Sequence, residues 1–179
     1  MEIFSFLLVI IVIAIIEQVL SSRWNPFYFR SGLTIYRKEL LNQKFSEELL
    51  DISKFENLFS KGLAPSMRFR NLSETEIAFR EQNFQFSLFS YTPLMHGLIV
   101  VNKEENMIIL KGKTNWAVLL FFLYFIFQFI SPGSIFAGEE FAYIICAVAF
   151  GITLLLYSVQ AFRFRKITKY LSKQGDEIS

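Results

Sequence analysis

Few residues in this chain could do chemistry. His96, in Thr92-Pro93-Leu94-Met95-His96-Gly97, is the single histidine. An imidazole is the side chain that most readily takes and gives a proton near neutral pH. Proton transfer in a triad also needs a nucleophile and an orienting acid nearby in space, and no motif marks either. His96 is therefore the one catalytic candidate, set against the plainer reading of a turn histidine with both ring nitrogens satisfied.

Glu17 is an ionisable group in an otherwise apolar run, a placement that by default points to function. It lies only one helical turn from the polar end of that run, so a role in helix or partner packing is expected instead. An ion path would need several such groups at mid-depth. Ala147 and Gly151 form a small-xxx-small pair that permits close helix approach, to the chain's own helices or to a partner subunit. Arg163, Arg165, Lys166 and Lys169, with Lys173, surround the apolar positions Phe164, Ile167, Tyr170 and Leu171. That pattern resembles an interfacial amphipathic helix with basic residues at headgroup level, so contact with anionic lipid headgroups is expected there, with a plain stop-transfer flank as the alternative. Arg68, Arg70 and Arg80 fall on alternating positions and read as one solvated sheet face, with an acidic partner or lipid phosphates as the alternative.

The eight glycines are scattered, without a phosphate-binding loop. One cysteine, Cys146, and one histidine cannot build a disulfide framework or a metal cluster. No cofactor and no metal are expected. The formal net charge is +2; segment 21–113 carries 13 basic and 10 acidic residues, and 163–179 carries five and two. Neither segment is basic enough to read as a nucleic-acid surface.

The elements that must position these residues follow from the apolar runs. The chain has 179 residues, 53% hydrophobic content and a mean hydropathy of +0.40. Three runs hold the excess: Ile3–Leu20, Trp116–Ile130 and Phe141–Phe162. A span needs ~20 apolar residues to cross ~30 Å of hydrocarbon, which the first and third meet and the second approaches with its flanks. The expected fold is thus an α+β membrane protein. Three transmembrane helices (1–22, 114–131 and 141–162) carry a small, mainly antiparallel β cytoplasmic domain at 23–113, with one helix, between spans one and two. A basic tail occupies 163–179. The Met1-Glu2 start lacks the basic n-region of a cleaved signal, so the first run reads as a retained anchor.

Orientation follows from the basic flanks. Arg23, Arg30, Lys111, Lys113 and the tail cations lie on one side, whereas 131–140 carries only Glu139 and Glu140. This predicts a multi-pass protein of a bacterial inner membrane, with the domain and C-terminus cytoplasmic.

Within the domain, Asn25-Pro26 marks a turn, followed by short strands at Phe27–Phe29 and Leu33–Arg37. Leu49, Ile52, Phe55 and Phe59 recur at helical spacing and predict a helix at about 46–60. Period-two alternation predicts strands around 67–71, 76–80 and 84–88. The runs Leu98–Val101 and Met107–Leu110, joined by Asn102–Asn106, predict a hairpin. The last arm passes through Lys111-Gly112-Lys113 directly into the second apolar run. No helix is therefore expected to close the sheet from the C-terminal side.

With no site chemistry above background, the expected function is a non-enzymatic accessory or scaffold protein docking a partner at the membrane. The alternatives are a small membrane enzyme acting on a lipid, and a transporter or channel subunit. The expected partners are the bilayer, its anionic headgroups, and another protein or a second copy of the chain.

Overall fold

A computed structural model describes residues 2–41, 52–59, 66–82, 84–86, 89–91, 94–130 and 140–178. The long helix α1 (Glu2–Ser22) leads into the short helix α2 (Pro26–Arg30) and strand β1 (Thr34–Leu41). Helix α3 (Ile52–Phe59) precedes strands β2 (Met67–Ser73) and β3 (Glu76–Glu81), the small strands β4 (Phe84–Phe86) and β5 (Phe89–Tyr91), and the hairpin β6 (Met95–Asn102) and β7 (Met107–Thr114). Two helices complete the chain: α4 (Trp116–Ile130) and α5 (Glu140–Ile178).

Five strands form one antiparallel sheet in the order β1-β7-β6-β3-β2, and β4 pairs with β5 separately. Register assigns the faces, because side chains alternate along each strand. On one face, Phe69, Phe79, Gly97, Gly112 and Tyr36 lie side by side across the five strands. The paired glycines leave space that aromatic rings fill. Phe79 lies over Gly97, Phe164 of α5 lies over Gly112, and the two rings meet edge to face at 4.9 Å. Phe55 of α3 and Ile167 and Leu171 of α5 join Met67, Phe69, Ile99, Ile108 and Leu110 in the same buried cluster. A side chain of this size stabilises by roughly 1.5–3 kcal/mol when fully buried. Burial on this face is therefore the main reason the sheet holds.

The second half of α5 is thus the lid of the sheet, which corrects the expectation that no C-terminal helix would close it. Phe164, Ile167 and Leu171 recur at three- and four-residue spacing, and the sheet covers that stripe. Buried Arg163 donates to the Glu81 carboxylate at the end of β3, and Gln160 Nε2 donates to the same carboxylate at 3.0 Å. These charge-assisted bonds fix the rotation of α5 about its axis.

The three-span membrane fold and the multi-pass inner-membrane location are corrected too: among the described residues, no helix is long and apolar enough to cross a membrane. In α4, 15 residues cover about 22 Å at the helical rise, short of a ~30 Å core. In α5, Arg163, Arg165 and Lys166 follow the apolar stretch closely, and that half belongs to the sheet. In α1, side chains are described from Phe6 onward, apart from Leu7, and buried Glu17 falls among them. The assignment of sides from basic flanks has no span left to rest on. The described architecture is an α+β arrangement of one antiparallel sheet with helices.

Two local expectations also change. Phe27–Phe29 lies in helix α2, not a strand: Asn25 Oδ1 accepts from the Phe27 amide, and Pro26 occupies the first turn. His96 lies inside β6 and not in a preceding loop. The predicted helix at 46–60 is described only over Ile52–Phe59, and residues 87 and 88 of the predicted third strand, like 131–139, lie outside the described residues.

Candidate functional site

The polar residues of interest meet on the other face of the sheet, where α1, α2 and the start of α4 converge. The junction begins at the end of α1. Asn25 N bonds Leu20 O at 3.0 Å and Trp24 N bonds Ser21 O at 3.1 Å, the paired bonds of a Schellman ending. The residue that turns left-handed there is normally glycine; here it is Trp24, with φ of 55°. That conformation costs about 1–2 kcal/mol for a residue with a Cβ. It places the indole against Phe29 at 5.4 Å and the Arg80 guanidinium at 5.1 Å from the ring centre.

Helix α2 then lays Tyr28 and Phe29 on Ala78 and Leu98, forming a second, smaller buried cluster. Tyr28 Oη donates to Asn115 Oδ1 at 2.9 Å, and His96 Nδ1 stands 3.0 Å from the same oxygen. His96 Nε2 faces the Ser31 carbonyl at 3.3 Å. Phe29 packs edge-on and Tyr28 at a tilt against the imidazole. Two acceptors around the ring favour the imidazolium, but burial is the larger effect and holds the His96 pKa below its ordinary value. The neighbouring Lys113 pushes in the same direction. Burial, and then the Glu17 charge, push the Tyr28 phenol above its ordinary range.

Glu17 reaches across to the first turn of α4. Its carboxylate accepts from Trp116 N at 2.5 Å and Ala117 N at 2.9 Å. An anion at orphan helix-start amides satisfies donors that the helix cannot, and it complements the dipole. Burial raises the Glu17 pKa, and the two amide bonds act against that rise. The Trp116 indole N–H donates to Ser31 Oγ at 3.1 Å, and Lys113 donates to the Arg30 carbonyl. A web of polar contacts from α1, α2, β6, β7 and α4 thus closes around Asn115.

Inside the web is a cavity of about 50 Å³, lined among others by Glu17, Gln18, Ser21, Tyr28, Arg80 and His96. Both ring nitrogens of His96 face acceptors, and both Glu17 oxygens accept from amides. Arg80 differs. Its Nε is fully buried and has no hydrogen-bond partner among the described residues, and burial lowers its pKa.

The other sequence candidates lie elsewhere. Ala147 and Gly151 are exposed on the first half of α5, and a Cβ added at Gly151 would meet nothing within 4 Å. Arg163 is buried against Glu81, whereas Arg165, Lys166 and Lys169 are exposed, with Lys166 over the Phe162 ring at 5.1 Å. Arg68 and Arg70 are exposed on β2, and Arg68 pairs with Glu56 at 3.3 Å. Among the described residues, no group of three or more His, Cys, Asp or Glu is placed to hold a metal ion.

Sequence reasoning missed Tyr28, Asn115 and Trp24. Asn115, at the strand-to-helix junction, carried the one readable signal: a helix-start amide residue preceding an apolar run. No family model, curated protein or solved structure matches this chain.

Proposed function

We propose that the protein is a non-catalytic accessory or scaffold protein, and that aliphatic helices of a partner protein cover its α1 and α5 faces. One observation carries this reading. Leu8, Val9, Ile11, Val12, Ile15, Ile16 and Val19 of α1 are all exposed, as are Ile144, Val148, Phe150, Ile152, Leu154, Leu155, Val159 and Phe162 of α5. Exposed apolar side chains in such number along two helices mark an interaction site. Between Leu8 and Val19 the face is uncharged, because Glu17 turns inward to α4. Its occupant must therefore be apolar along about 17 Å of helix axis, the length that a partner helix packed ridge into groove would cover. The polar web supports the same reading, since it clamps α1 and α4 to the sheet and holds the apolar face in a fixed position.

Crosslinking and mass spectrometry of the intact chain, purified in mild detergent, test the proposal. The expected result is one discrete complex with crosslinks on 8–19 and 144–162, lost in Val12→Lys and Leu155→Lys. A monomer without such crosslinks would overturn it, as would lipid vesicles alone covering the same faces.

A further inference from the structure

The face of the sheet that carries the polar web also carries a line of bases. Register places Arg68 opposite Arg80, Arg80 opposite His96, and His96 opposite Lys113, on four neighbouring strands. Arg70 and Lys111 flank this row on the same face. Arg68 and Arg80 are like charges directly opposite one another, which destabilises a sheet, so this pair calls for a counter-charge, whereas His96, its pKa held down by burial, adds none. The acids nearby are already engaged: Glu76 pairs with Arg30 at 2.6 Å, Glu39 with Arg37 at 2.5 Å, and Glu56 with Arg68. Both Glu17 oxygens accept from the first amides of α4. Lys113 is satisfied by the Arg30 carbonyl. Arg80, in the middle of the row, makes no ion pair or hydrogen bond among the described residues, although its Nε is fully buried.

Trp24 supplies an independent observation. Its left-handed backbone is an unfavourable conformation for a tryptophan, and its ring stands at the Arg80 guanidinium. Strained residues persist where surrounding structure holds them, and they cluster at ligand sites. A ring held at a guanidinium fixes the side chain and leaves in-plane N–H donors for a planar, two-pronged acceptor. The adjoining cavity of about 50 Å³ is also lined by Ser21, by Tyr28, and by Glu17, whose carboxylate is held by the first amides of α4. At ~10–15 Å³ for each water-sized occupant, it holds three to five such atoms, the size of one tetrahedral oxyanion.

From this arrangement we infer that Arg80, steadied by Trp24 and flanked by Arg68, binds a phosphate group, either inorganic phosphate or a phosphate monoester. A doubly charged tetrahedral anion answers the opposed Arg68 and Arg80 better than a carboxylate does, and the guanidinium fork engages two of its oxygens. The site is separate from the aliphatic docking faces and does not depend on them.

Titration calorimetry on the full chain tests this, with inorganic phosphate and water-soluble dihexanoyl phosphatidate as the two probes. Saturable binding is expected, weakened about tenfold or more in Arg80→Gln. Arg68→Gln, an exposed change that leaves the core alone, should weaken it several-fold, while Lys103→Gln in the β6–β7 loop should leave it unchanged. Arg80→Lys keeps the charge but loses the fork, so it should bind more weakly than the wild type. Binding of phosphate identifies a free-phosphate site, and binding of phosphatidate alone with the same Arg80 dependence identifies a headgroup site. Binding equal in wild type, Arg80→Gln and Arg68→Gln, or none with either probe, overturns the inference.

Discussion

The two faces of the one sheet are built on opposite principles. One is aromatic and dry: Phe69, Phe79 and Phe164 interlock over two glycines, and the buried ion pair of Glu81 with Arg163 serves to lock α5 in place. The other is a polar web in which Tyr28, His96, Asn115 and Glu17 tie together elements distant in sequence, beside an arginine whose Nε has no hydrogen-bond partner among the described residues. The first face supplies stability by burial, which is non-directional. The second supplies placement, because hydrogen bonds are directional and costly to leave unmade. Stability and site thus lie on opposite sides of the same strands.

Substitutions should separate the faces, with the largest losses on the dry one. Phe164→Ala empties the space over Gly112 and should cost about 3–5 kcal/mol, read from urea unfolding. Gly97→Ala drives a Cβ into the Phe79 ring and should cost about 1–3 kcal/mol through overpacking. On the polar face, Glu17→Ala removes the acceptor for the first amides of α4 and should cost about 1–2 kcal/mol, with faster hydrogen exchange at Trp116 and Ala117. Gly151→Ala lies on neither face and should stabilise α5 by roughly 0.5–1 kcal/mol.

The polar face should also respond to pH. Burial holds the His96 pKa down, so as pH falls through the ordinary histidine range near 6.5 the unfolded chain takes up the proton first. His96 therefore costs no stability above that range and lowers it progressively below. Unfolding free energy followed from about pH 7.5 to 5.5 should fall, and His96→Gln should flatten the slope.

Local pattern made parts of the fold legible in the sequence. The alternation of Met67 and Phe69 with Arg68 and Arg70, the spacing of Ile52, Phe55 and Phe59, and the β6–β7 hairpin with its turn at 103–106 all have counterparts in the structure. What escaped is what depends on distant partners. Glu17 reads as an isolated acid until the amides of residues 116 and 117 stand beside it. The Phe164 stripe reads as an interfacial tail until the sheet covers it, because periodicity shows that a face is apolar but not what lies on it. The same limit explains the membrane spans, which were inferred from apolar runs alone. At the site, His96 and Arg80 were visible as residue types, but their neighbours were not. Trp24 was out of reach, since nothing in a sequence announces a left-handed tryptophan.

The closing of the sheet by the second half of α5 underlies the whole account, and a double-mutant cycle on Glu81 and Arg163 tests it most directly. With Glu81→Ala, Arg163→Ala and the double variant followed by urea unfolding, each single change should cost about 3–5 kcal/mol, because it strands a buried charge. The double variant should cost less than their sum by a coupling of about 1–3 kcal/mol. A coupling near zero, with Arg163→Ala harmless by itself, would mean that Arg163 faces solvent or headgroups and that α5 does not rest on the sheet.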